Sequence, residues 1–127
     1  MNTQTLPICE GFILAAGLYT VIAAIPSDAI SGTLNFRAIN TVMTVDSKVR
    51  VAIVSTAVAA GANLVTPPTA AQWIQPVDFI LGPDGIVDGI MEDTGLVLLP
   101  GQAIVAYSDT GNITGHAHGL YKTTVGA

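Results

Sequence analysis

Short stretches that alternate apolar and polar residues run through this chain, and nearly every one ends at a Pro, Gly, Asp or Asn. That punctuation forbids long helices and dictates strands. Within 32–45, Leu34, Phe36 and Ala38 fall on one face and Asn35 and Arg37 on the other, with Ile39 breaking the rule. Within 48–55, Val49, Val51 and Ile53 oppose Lys48, Arg50 and Ala52, the pattern of a strand with one buried face. Segments 18–24, 86–91, 95–99 and 103–109 read as further strands. Segment 73–81 is one broken by Pro76, hence an edge strand or a bulge. Turn chemistry sits at 25–28, 82–85 and 100–102, and 110–112 reads as a hairpin into a closing strand at 113–122.

Residues 56–72 break the pattern. They are rich in Ala, but Gly61 and Pro67-Pro68 prevent a long helix, so a long surface loop is expected. About eight short strands without a convincing helix predict an all-β fold, a single antiparallel β-sandwich or jelly roll. Residues 1–12 read as an N-terminal arm preceding a sandwich domain at 13–127; the alternative makes Leu6 to Ile13 the first strand.

Composition narrows the class. The chain has 127 residues, enough for one domain to bury about two-thirds of its surface. Half its residues are hydrophobic and only 10% are charged, against about 25% in a typical soluble domain. A surface that poor in charge predicts an assembled protein, a homo-oligomer or a subunit that hides area against partners. Net charge is −5 with four basic residues, Arg37, Lys48, Arg50 and Lys122, so no basic stripe can track nucleic acid. The apolar run 11–26 follows Glu10 rather than positive charge and stops at Pro26, which suits strands better than a signal or membrane helix. The single Cys9 cannot pair within the chain and fits a reducing compartment.

Residues that carry chemistry are sparse. His116 and His118 lie two apart and share a strand face, but a metal needs further ligands than these. The carboxylates Asp84, Asp88, Glu92 and Asp93 lack the spacing of a calcium loop. No serine sits in a nucleophile elbow, and no phosphate loop or zinc-protease motif occurs. The expectation is a non-enzymatic protein without cofactor or metal.

The segments KVRVAIV (48–54), Trp73-Ile74 with Asp78, PDGIV (83–87), EDTGLVLLPGQAIVAYSDTGNI (92–113) and HAHGL (116–120) resemble small β-sandwich structural proteins of tailed-bacteriophage virions. LYTVIAA (18–24) resembles their opening strand; Pro76 and the tail after Gly119 depart from the pattern. The resemblance implies a virion structural protein, made in the host cytoplasm. It implies a capsid decoration (cement) protein first, a homotrimer on the major capsid protein shell. A neck, tail or fibre-associated sandwich is the second possibility, and a non-viral binding module the third. The contact residues expected on this reading are Leu6, Ile8 and Phe12 of the arm, Leu64, Val65, Pro67 and Pro68 of the loop, and Trp73 as a hot-spot anchor or core residue.

Overall fold

A computed structural model describes residues 2–41, 45–56, 58–82 and 90–125. Among these, eight strands form two antiparallel four-stranded sheets: β1 (Thr3–Leu14), β2 (Thr20–Ala24), β3 (Ala29–Asn40), β4 (Ser47–Ser55), β5 (Phe79–Leu81), β6 (Ile90–Leu98), β7 (Gln102–Ser108) and β8 (Ile113–Thr124). Sheet A runs β1-β8-β3-β6 and sheet B runs β2-β7-β4-β5. The expected sandwich is thus the fold. Apart from β4 to β5, consecutive strands lie in different sheets. The turn at 110–112 therefore carries the chain from one sheet to the other rather than closing a hairpin. Gly111 (φ 73°) and Asn112 (φ 57°) both take the left-handed conformation there.

The alternation read from the sequence places the core. Leu34, Phe36 and Ala38 of β3 are buried and meet Val49 and Val51 of β4 between the sheets. Phe12 stacks on Phe36 with ring centroids 5.6 Å apart. The closing strand is not at an edge: β8 pairs with β1 on one side and β3 on the other. Its inward Gly115 and Gly119 are where the chains crowd, since a Cβ on either would run into the main chain of β3. The two short segments expected at 86–91 and 95–99 share one strand, β6, bulged between its pairings to Leu34 and Phe36; residues 83–89, with most of the 82–85 turn, lie outside the described residues.

The N-terminal arm is corrected. Residues 3–14 pair with β8 along twelve successive positions, Thr3↔Thr124 to Leu14↔Ile113. The reason is apolar alternation: Leu6, Ile8, Phe12 and Leu14 share the inward face, where Ile8 and Leu14 are buried. Leu14 and Asn2 carbonyls accept N–H groups from Asn112 and Val125, so even-numbered backbone groups of β1 face β8 and odd-numbered ones face the open edge. Pro7 therefore removes a donor at that edge, and Glu10 puts a charge on the inward face beside it. Both discourage another strand from adding there.

Part of the outer face of sheet B is buried as well. Its outer face carries Val21, Ala52, Val54, Ala103 and Val105, and the loop after β4 lies across them. The loop reaches the free edge of β2, where Gly61 N–H donates to Val21 O (2.7 Å), Val21 N–H to Ala62 O (2.8 Å) and Leu64 N–H to Tyr19 O (2.8 Å). It returns through a single 3-10 turn, Ala70–Gln72, to β4, where Ile74 N–H donates to Val51 O (3.0 Å). The expected surface loop is thus a pinned third layer.

Candidate functional site

Five residues from five segments converge where this loop rejoins sheet B. Arg50 projects from the outer face of β4, between exposed Lys48 and buried Ala52. Its Nε–H donates to Asp78 Oδ1 at 2.7 Å and its NH1 group donates to the Tyr19 hydroxyl at 2.7 Å. The guanidinium carbon stands 5.0 Å from the Tyr107 ring centre and 6.0 Å from that of Trp73. Tyr19 stacks on Tyr107 at 4.7 Å and tilts against Trp73 at 6.2 Å. Cation–π attraction and ring stacking hold this group together where water still reaches it.

Asp78 completes the group at a conformational cost. Its φ is 61°, in the turn closed by Phe79 N–H donating to Pro76 O at 3.1 Å. Glycine is the usual residue at such a position; an aspartate there is explained by the salt bridge its carboxylate makes. The hydrogen bond from Arg50 holds the Asp78 carboxyl below its ordinary value of 3.8, against the opposing effect of burial. The bond to Asp78 likewise raises Arg50 above its ordinary value, with burial opposing and Tyr19 adding to the rise.

Around this cluster the surface projects apolar groups. Val77 and Ile80 are exposed beside the Asp78 turn, and Val65, next to the Leu64 whose N–H bonds Tyr19 O, is 100% exposed. Of the contact residues expected from the sequence, Val65 and Pro67 are exposed and Pro68 is half-buried on the same loop. Leu64 and Trp73 are partly buried and pack against the outer face of sheet B. Trp73 is thus both a packing residue and a member of the surface cluster. Leu6, Ile8 and Phe12 are not brought to this site. They lie on β1, with Ile8 buried and Phe12 packed against the core.

The remaining polar candidates fall elsewhere. His116 and His118 point outward from sheet A, opposite Gly11 and Cys9 of β1. Cys9 is free and exposed. Glu92 pairs with Arg37 at 3.4 Å, and Asp93 accepts two hydrogen bonds from Gln75 at 2.7 and 2.9 Å; Asp84 and Asp88 lie outside the described residues. Among the described residues no three His, Cys, Asp or Glu side chains gather as a metal site, and no helix is long and apolar enough to cross a membrane.

The Arg50 cluster was not read from the sequence, which shows one tryptophan and scattered tyrosines. Only Arg50 on the polar face of 48–55 and Asp78, two residues after Pro76, carried a local signal. Compared with known proteins, the chain matches no family model, no curated protein and no solved structure.

Proposed function

We propose that this chain is a non-enzymatic structural protein of a bacteriophage virion that decorates the capsid, binding the major capsid protein through the outer side of sheet B. The observation that supports the reading is the cluster of Trp73, Tyr19, Tyr107 and Arg50, with exposed Val77 and Ile80 on either side of its Asp78 turn and exposed Val65 following the Leu64 whose N–H bonds Tyr19 O. Tryptophan, tyrosine and arginine are the residue types that dominate binding energy at interfaces. Here they are already held in one conformation by the Asp78 bridge and by each other, so little ordering remains to oppose docking. Pro67-Pro68 stiffens the loop beside them in the same way. The resemblance to virion sandwich proteins supplies the identity of the partner.

The test is co-sedimentation of the purified protein with capsids lacking it. Wild type is expected to pellet with shells, and Val65→Asp, which touches no core residue, to pellet at least tenfold more weakly with an unchanged melting curve. Wild type left in the supernatant, or a Val65→Asp protein that binds as before, refutes the reading. In purified virions the copy number is expected to be stoichiometric with the shell subunit. A small fixed number would move the protein to the neck or tail.

A further inference from the structure

Two cavities of about 910 and 270 Å3 share Glu10 and Ala60 and so form one groove. The groove follows β1 for seven residues, Pro7 to Ile13, about 20 Å of extended chain. Its other lining comes from β2 and from Val58, Ala59, Ala60 and Gly61 of the loop that crosses sheet B. The β1 main chain is unpaired along it. Among the described residues β8 is the one strand beside β1, so Cys9, Gly11 and Ile13 direct their N–H and C=O groups to the open edge, where Pro7 offers a carbonyl alone. Glu10 is the sole charged residue lining the groove. Its carboxylate is half-buried and, among the described residues, has neither a hydrogen bond nor an ion pair. Turning a charge toward largely apolar walls costs solvation that nothing in the chain returns.

We propose that this groove receives an extended segment of another protein, which adds to the free edge of β1 and sets a Lys or Arg opposite Glu10. Register explains the pairing. Glu10 spends its own N–H and C=O on β8, so a residue placed across the open edge from it forms a non-hydrogen-bonded pair, the kind in which side chains stand closest. Both side chains then point into the groove. Cys9 and Gly11, on either side, supply the main-chain bonds that give such an added strand its affinity.

Pro7 and Glu10, which turn away an unselected strand, then become selectors. A wholly apolar segment would cover the Glu10 carboxylate without pairing it, and an acidic segment would set like charges together. A segment with one cation at that position relieves the cost instead, and the net charge of −5 draws a basic partner from a distance. A second copy of this chain cannot fill the groove in this way. Its four basic residues, Arg37, Lys48, Arg50 and Lys122, all lie in β3, β4 and β8, which are inner strands already paired on both sides. The groove shares no residue with the Arg50 cluster, so the proposal does not rest on capsid binding.

The test titrates the intact chain with a blocked heptapeptide, Thr-Val-Thr-Lys-Thr-Val-Thr, and with its counterpart carrying Glu at the centre, each to about 1 mM. Amide NMR shifts and hydrogen exchange are the readouts. The Lys peptide is expected to bind, to shift the Cys9 and Gly11 amides and to slow their exchange. The Glu peptide is expected to bind about tenfold more weakly. Glu10→Lys is expected to reverse that preference. Cys9→Pro removes one edge N–H and leaves the bonds to β8 in place, so it is expected to keep its circular dichroism and lose the peptide. A Lys peptide that does not bind, equal binding of the two peptides, shifts confined to residues outside the groove, an unreversed preference in Glu10→Lys, or a Cys9→Pro protein that binds as before each overturns the proposal. Wild type that binds the peptide but no capsid, or that pellets with capsids and ignores the peptide, separates it from the functional reading.

Discussion

Asn40 sits at the core-facing end of β3 with no solvent exposure, in a position that the strand's alternation reserves for an apolar residue. Its Nδ2 group donates to Leu81 O at 3.0 Å and to Val45 O at 2.9 Å. These bonds tie the end of β3, in one sheet, to β5 and the approach to β4 in the other. Replacing Asn40 with Ala removes both donors. The Leu81 carbonyl is buried, and leaving it unpaired costs about 1–3 kcal/mol. Val45 is exposed, so water replaces the second bond and only the ordinary net value of about 0.5–1.5 kcal/mol is lost. The expected destabilisation is about 3 kcal/mol. With about 2.1 cal/mol/K of unfolding entropy per residue, a chain of this length loses about 11 °C of melting temperature. Thermal melts followed by far-ultraviolet circular dichroism measure it, with Gln4→Ala, at an exposed position near the start of β1, as the reference substitution. A fall below about 3 °C would show that the two bonds do not clamp the sheets and that the polar core position has another cause.

Two further predictions follow from residues held under strain or crowding. The Asp78 carboxyl titrates lower in the folded chain than in the unfolded one, so the stability it contributes is fully present above the ordinary carboxylate value and lost as pH falls through and below 3.8. Asp78→Asn is expected to lower the melting temperature at pH 7 and to flatten its decline between pH 5 and pH 3; parallel acid limbs for the two proteins would refute the linkage. In Gly115→Ala the new methyl would overlap the Arg37 carbonyl oxygen and stand 2.8 Å from the Phe12 ring, an obstacle of main chain that no rotamer relieves. Overpacking of this kind costs about 1–3 kcal/mol or more; urea unfolding is expected to show an earlier midpoint, and an unmoved midpoint would mean that β8 can slide away from β3.

What could be read in advance was whatever a strand shows along its own length. Leu34, Phe36 and Ala38, or Val49, Val51 and Ile53, announce a buried face because side chains alternate whatever the strand pairs with. Pairing itself is not local. Thr3–Leu14 reads equally as a loose arm or a strand until β8 is placed beside it, and the turn at 110–112 has hairpin residues though its flanking strands belong to different sheets. The Arg50 cluster was hidden for the same reason: Tyr19, Arg50, Trp73, Asp78 and Tyr107 meet only because the loop crosses the outside of sheet B and comes back.

The position of β8 bears on the order in which the molecule can be made. Among the described residues it is the latest strand and an inner strand of sheet A, and β1 has no other partner in that sheet. Until β8 leaves the ribosome, β1 and the facing edge of β3 both stand open, and their apolar residues have only half a core to enter. Sheet B has all its strands earlier, so it is the part that can form first. Closure of sheet A must then wait until β8 has been made and bring together Thr3–Leu14 and Ile113–Thr124, segments far apart in the sequence, a slow, nonlocal step. During that interval the unpaired strands are exposed to other nascent chains. A protein of this topology gains from rapid completion of the twelve-residue β8, and slow codons upstream of residue 113 would prolong the vulnerable state.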